Sequence, residues 1–476
     1  MQKFILLLIY ILFINRNSVC KAETIFEDPF NTAKISTNII NKNTNNCDNL
    51  DLIKELDLSE LINIAMCKNP KIRQGWESFL QNQAKVGTGY SQYLPKVTVS
   101  SGYSRLNYAL QGLSFGPNFP TSGNGNMLQN NVTLEYLLYD FGARNANLDS
   151  LKTNLISIGY NYNSTVQDIV SSVIEKYYTY FSYKELLISK IKAEELAKLS
   201  YEYSKARHKA GVSKKLDELQ SNASYSNIKY ERANVEKKLE VLKADLLISI
   251  GLSPNVNNEI KIFTPKENIK IQDIQNINKD INELIKIARE NNLKLKSANA
   301  NLSTIKAKME QIKYDAYPKI ALTGGVNRMD MLNTGSMNHF SIQQNTIGVT
   351  VSIPLFAGFQ NVYINKANKH EYKSAVANIE SMENDLIIQV LQNQNNFELS
   401  IQNLTLTNNL LEAAIEAENN AREGYKYGAN SILDVLSAQS TLTMAEEKAI
   451  SAKYNVHLTR INLLKSLGVI INSENF

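Results

Sequence analysis

The sequence predicts an α+β chain of two tandem helix-strand-strand-helix-helix units, and three observations predict it. The chain repeats itself: Leu61, Ala65, Asn69 and Pro95 match Leu284, Ala288, Asn292 and Pro318 at a shift of 223. Leu138, Gly211, Asp217 and Gly251 then match Leu355, Gly428, Asp434 and Gly468 at a shift of 217. The six-residue difference falls in the Gly- and Pro-containing stretch Gly112 to Asn126, which reads as a loop. Short segments such as "TIGVTVSI", from Thr346, alternate apolar and small or polar residues with the period of a strand. Finally, no proline occurs from Thr121 to Ser253 or from Leu355 to Phe476, so the strongest helix breaker is missing from two very long stretches.

The elements follow in order. Lys3, the apolar run Phe4 to Ile14 and the small-residue site "CKA" read as a signal peptide over 1–22, too short to span a bilayer. A lipid-carrying Cys20 is the weaker alternative, because Val19 sits where a small residue is expected. Residues 23–56 form a polar, Asn-rich leader. The first unit, 57–254, has a helix from Pro70 to Tyr93, strands near 96–108 and 131–140, a helical run to Ala210, a turn at Gly211 and a returning helix. A linker, 255–280, joins it to the second unit, 281–476, with a helix from about Leu293 to Tyr317, strands near 319–327 and 346–355, and a turn at Gly428. Each first helix ends at the proline that opens a strand.

A helical run of about 65 residues would reach roughly 100 Å, which implies coiled-coil packing. The seam holds Leu433, Leu436, Ser440, Thr443 and Ile450 among many Ala, Ser and Thr, which suits either a hollow helical tube or an antiparallel coiled coil. Strands of about ten residues with tyrosines near their ends (Tyr103, Tyr108, Tyr136, Tyr139) have the length and girdle of outer-membrane strands. Four strands cannot close, whereas three chains would supply twelve, an even number that does.

At this point several motifs together resemble the outer-membrane efflux protein (TolC-like) family. They are "LxxLIxIAxxxNP", "YLPKV", the strand ends "LLYDFG" and "PLFAGF", and the turn "YxxGxxSILDVLSAQSTL", and the likeness covers about residues 57 to 470. It implies a homotrimer with a twelve-stranded outer-membrane β-barrel, in contact with outer-membrane lipid, continued by a long α-helical barrel in the periplasm. It also implies a periplasmic adaptor (membrane fusion) protein and an inner-membrane RND or ABC transporter as partners, for efflux or type I secretion of small molecules or polypeptides.

Carried over residue by residue, the resemblance puts Asp217, Asp434 and Tyr425 at the periplasmic entrance, and Gly211, Val212, Gly428 and Ala429 at the adaptor contact. Three inward carboxylates would favour cations. Equally, both aspartates open a returning helix, where the dipole favours them, and Ser431 to Asp434 has the form of a capping box. Asn430 stands where the best-known member has a gating arginine, Ser437 where it has a second acidic ring and Leu216 where it has a threonine. The expectation is therefore a gate held by Tyr425 and local hydrogen bonds. The first turn is basic, with Lys205, Arg207, His208, Lys209, Lys214 and Lys215, either merely solvated or facing an acidic adaptor patch.

Other functions are excluded by pattern. The charge of +5 is spread over 51 basic and 46 acidic residues without single-sign blocks, so nucleic acid has no standing as a partner. "GLSFG" has the GxSxG form but sits in a loop rather than at a strand-to-helix elbow, and "DFG" at Asp140 lacks its companion kinase motifs. Four scattered histidines and three cysteines without CxxC spacing predict no metal, no cofactor and no enzyme. Cys47 and Cys67 could bridge, although unpaired small hydrophobes are the simpler reading. The alternative to a channel is a coiled-coil adhesion or scaffold protein of the cell envelope whose strands form a soluble sheet.

Overall fold

The computed structural model describes residues 28–32, 56–109, 122–253, 262–263, 280–334 and 337–470. The expected signal peptide, Cys20, Cys47, the "GLSFG" pattern and nearly all of the linker lie outside the described residues. Cys67 is disulfide-bonded.

The element order is α1 (Leu58–Lys68), α2 (Pro70–Ser91), β1 (Lys96–Ala109), β2 (Ser122–Tyr139), α3 (Ala143–Lys209) and α4 (Lys215–Ser249). The second copy follows as α5 (Ile281–Asn291), α6 (Leu293–Asp315), β3 (Lys319–Thr334), β4 (Met337–Ser352), α7 (Gln360–Lys426) and α8 (Ile432–Ser466). Three strands differ from the expected extents: β2 begins at Ser122 and not near 131, β3 runs on to Thr334, and β4 spans Met337 to Ser352 and not 346–355. "SGNGN", read as loop, is thus the start of a strand, because a ladder of backbone hydrogen bonds to β1 does not depend on side-chain pattern.

Contacts divide the chain into two compact units, each drawing on both repeats. One comprises the described parts of Met1–Asn41, Phe79–Ile158 and Asn299–Ala377, and the other those of Lys42–Ser78, Gly159–Ala298 and Asn378–Phe476. The first holds the four strands, an antiparallel meander in the order β1-β2-β3-β4.

The second unit is helical. Its α1 starts at a capping box: the Asp57 carboxylate accepts from Glu60 N at 2.7 Å, and Asp57 N donates to the Glu60 carboxylate at 2.9 Å. One core gathers Leu61, Ile64, Val173, Ile174, Phe181, Leu246 and Ile250. A second gathers Leu284, Ala288, Leu386, Val390, Phe397 and Leu463. The repeat shows in one packing detail. Gly251 (φ +82) and Gly468 (φ +74) close the returning helices, and an added Cβ would meet Lys68 O at 2.4 Å and Asn291 O at 2.7 Å respectively. Only glycine satisfies both the left-handed backbone and the close approach.

The long helices pack through small and polar residues. Ala193 and Ala197 of α3 pack on Ile228 of α4, and Ala414 of α7 packs on Leu442 and Ala445 of α8. Hydroxyls bridge helices directly: Ser204 to Ser221, Ser400 to Thr459 at 2.9 Å, and Ser200 to the Gln439 amide at 2.9 Å. Short side chains bring backbones close, and burying a hydroxyl between helices favours such a partner.

Candidate functional site

The sheet has two chemically distinct faces. Aligned across the strands, Val99, Val132 and Val326 form one row, Val97, Leu134 and Ile347 a second, and Tyr136, Leu322 and Val349 a third. One residue along, the rows read Lys96, Glu135, Thr323; Thr98, Thr133, Thr346; and Ser100, Asn131, Asn327, Gln344. Side chains alternate sides along a strand, so the first set shares an apolar face and the second a polar one. The apolar face is bare: Ile347 is 85% exposed and Val99 63%. Among the described residues, the outer edges of β1 and β4 pair with nothing.

A tight joint turns β2 into α3. Phe141 (φ 55) and Gly142 (φ 105) reverse the chain. The Asp140 carboxylate then accepts from Arg144 N at 2.8 Å and from Arg144 Nε at 3.0 Å. The rest of the Arg144 fork donates to the carbonyls of Leu137 (2.8 Å), Leu138 (3.3 Å) and Gln92 (3.3 Å). The "DFGAR" run is therefore a helix start and a strand-end clamp. After β4, Leu355, Phe356 and Phe359 lie exposed at the corresponding joint.

The two helical turns that the repeat predicted are both Schellman motifs. At the first, Gly211 (φ 74) donates to His208 O and Val212 N to Arg207 O at 3.0 Å. At the second, Gly428 (φ 81) donates to Tyr425 O and Ala429 N to Gly424 O at 2.7 Å. A left-handed residue in this position satisfies the last carbonyls of a helix, which explains the matched glycines. Asn430 adds a further cap: its side-chain amide donates to Ala421 O at 3.3 Å and Asn420 O at 3.4 Å.

The matched aspartates have different surroundings. Ser431 caps α8, and the exposed Asp434 carboxylate accepts from Ser431 N (2.8 Å) and Oγ (2.7 Å), which holds its pKa below the usual carboxylate range. The residue matching Ser431 in the first turn is Lys214, which has no acceptor to offer, so α4 starts without a side-chain cap. Asp217 stays out of any box and lies near Tyr425, whose ionisation its charge opposes. Ser437 is exposed on α8.

Tyr425 itself is 8% exposed, and burial pushes its phenol above the usual range. Its hydroxyl finds no hydrogen-bond partner within the chain. What holds it is Arg207, whose Nη1 donates to Tyr425 O at 3.0 Å and whose guanidinium lies 5.0 Å from the ring centroid. The structure thus brings Arg207, Asp217 and Tyr425 together. Arg207 belonged to the basic cluster, but charge alone gives no sign that it serves the other repeat.

Among the described residues, no three His, Cys, Asp or Glu side chains gather as a metal site, and no helix is long and apolar enough to cross a membrane. The sequence profile described as Outer membrane efflux protein matches residues 61–251 and 284–469, most of both copies. The chain belongs to the outer membrane efflux protein family. Similar family members include Protein CyaE of Bordetella pertussis, 26% identical over 333 residues, covering 70% of this chain and 66% of CyaE. Outer membrane protein TolC of Escherichia coli is 24% identical over 200 residues, 40% of each chain. The chain thus spans less than two thirds of the length of these curated relatives. The Campylobacter jejuni CmeC outer membrane channel shares the fold, with a TM-score of 0.72 at 17% identity over 86% of this chain and 85% of that one. Family and fold are those of outer-membrane channel proteins, with the strands in the outer membrane and the helices in the periplasm.

Proposed function

We propose that this chain is one subunit of a homotrimeric export duct. It would provide the outer-membrane exit of a tripartite efflux or type I secretion system, receiving small molecules or polypeptides from a periplasmic adaptor and an inner-membrane RND or ABC transporter. One observation carries this reading: a four-stranded sheet with a bare apolar face, a polar face and two unpaired edges. Exposed to lipid, each unpaired backbone group costs several kcal/mol. Closure by further copies of the same sheet removes both edges at once, and three copies give a twelve-stranded wall with its polar face inward. The helical turns are the entrance. Asp217, Asp434, Asn430 and Ser437 would line or brace it, Tyr425 would close it through its contact with Arg207, and Gly211, Val212, Gly428 and Ala429 would present the adaptor contact.

The test is the native mass of the detergent-extracted protein, followed in the same sample by planar-bilayer conductance. Three mature chains and a small, cation-selective current are expected. A monomer that passes no current would sink the duct and return the envelope scaffold as the better account.

A further inference from the structure

Besides its contact with Arg207, Tyr425 lines a cleft of about 160 Å³ between the two repeats. Leu199 and Tyr203 come to it from α3, Arg422, Tyr425 and Lys426 from α7, and Val435 from α8. The lining is mostly apolar, and an apolar cavity of about 150 Å³ is enough for one benzene ring. Several of its polar groups are unmet. The buried Tyr425 hydroxyl has no partner in the chain, and burial keeps this phenol protonated at neutral pH. Arg422 Nε is buried 3.3 Å from a Glu418 carboxylate oxygen but forms no hydrogen bond. Lys426 is exposed beside the Tyr427 ring, at 5.7 Å from its centroid, and takes part in no ion pair among the described residues. All three unmet groups can donate a hydrogen bond, and Glu423 is the one carboxylate in the lining. A ligand that satisfies them must therefore bring an apolar ring and more than one acceptor atom.

We propose that this cleft is a binding site for a single-ring aromatic carboxylate, with the ring against Leu199, Tyr203 and Val435 and the carboxylate at the Tyr425 hydroxyl and Lys426. The tyrosine rings supply aromatic contact, and the two donors supply charge-assisted hydrogen bonds to the carboxylate. An occupant touches α3 of the first repeat and α7 and α8 of the second, so it adds a second tie between the repeats beside the Arg207 contact. The site stands on the cleft itself and does not depend on the duct reading.

The experiment titrates the full-length, detergent-extracted protein with 4-fluorobenzoate and with 4-fluorobenzamide, followed by fluorine NMR of the probe. The amide has the shape of the acid without its charge, so the acid is expected to bind about tenfold more tightly. Tyr425→Phe and Lys426→Gln, each removing one donor, should weaken the acid about tenfold. Leu199→Trp fills the cleft from a half-exposed position and should abolish binding. Lys426→Gln is a surface change that decides the matter even if Leu199→Trp does not fold, and Lys209→Gln at the first turn should change nothing. Equal binding of acid and amide overturns the proposal. So does binding indifferent to all three cleft substitutions, which is partitioning into detergent. Binding of neither probe overturns it as well and leaves the cleft to ordered water.

Discussion

Arg207 lies over the ring of Tyr425, 5.0 Å from guanidinium to centroid, and donates to the same residue's carbonyl at 3.0 Å. The two residues end α3 and α7, so this contact ties the turn of one repeat to the turn of the other. A cation over a buried ring contributes about 0.5–2 kcal/mol and a charged hydrogen bond about 1.5–3. Arg207→Ala is expected to free the turns and raise single-channel conductance. Arg207→Lys, which lacks the planar fork, should fall between. Tyr425→Phe keeps the ring and the carbonyl and loses only a hydroxyl without a partner in the chain, so it should conduct as the wild type does. A conductance raised equally by Tyr425→Phe and Arg207→Ala would show that the hydroxyl, and not the stacked ring, holds the turn.

Asn430 closes α7 by giving its amide to the carbonyls of Asn420 and Ala421, and the space it occupies is left by Gly424. A Cβ on Gly424 would stand 2.3 Å from the Asn430 amide nitrogen. Gly424→Ala must therefore push the cap away, and Asn430→Ala removes it. Each is expected to cost about 1 kcal/mol and to fray the last turn of α7. Hydrogen exchange at the amides of Tyr427, Gly428 and Ala429 reads this directly. If the two substitutions are additive in the double variant, they do not act through one cap.

Much of this was legible in the sequence, and what was not has a physical reason. Proline gaps and the Pro95 and Pro318 boundaries mark the long helices, because proline acts on its own backbone and on the residue before it. The Ser431 to Asp434 box is equally local, spanning four residues. Strand lengths were not legible, since Ser122 to Asn126 pairs with β1 through main-chain groups that any residue carries. Nor was the role of Arg207, whose partner lies 218 residues away. A basic cluster looks the same in sequence whether its members face water, as Lys209 does, or a tyrosine of the other repeat.

His457 gives the helical core a pH dependence. It is stacked on Tyr178 at 4.3 Å, and its pKa is held down to about 4 by burial first, with Arg460 and Lys453 adding to the effect. In the unfolded chain it returns to its ordinary value of about 6.5. Between these values the unfolded state binds more protons, so stability falls as pH drops through this window. The loss approaches about 1.4 kcal/mol per pH unit, is absent well above 6.5 and levels off below 4. His457→Phe preserves the stacking and removes the proton site. Thermal midpoints from pH 4 to 7.5 should therefore diverge, the wild type dropping further on the acid side. Parallel curves would mean that His457 is solvated in the folded protein.

The strand-to-helix joint is where one side chain carries most of the local order. Asp140 and Arg144 keep only 7% and 11% of their side-chain surface exposed. Arg144 also satisfies the carbonyls of Gln92, Leu137 and Leu138, at the end of α2 and the end of β2. Arg144→Ala would leave a buried carboxylate without its counter-charge and three carbonyls without a side-chain donor, a loss of about 3 kcal/mol. Lysine would restore the charge but not the fork, so Arg144→Lys should recover less than half of the loss. Asn361, the matched residue of the second repeat, makes no such clamp, because Ala357 stands where Asp140 does. Asn361→Ala should change stability by less than about 0.5 kcal/mol. Urea midpoints of the detergent-extracted variants measure all three. A loss at Asn361 as large as that at Arg144 would mean that the joint is held by the shared backbone turn and not by the ion pair that only the first repeat contains.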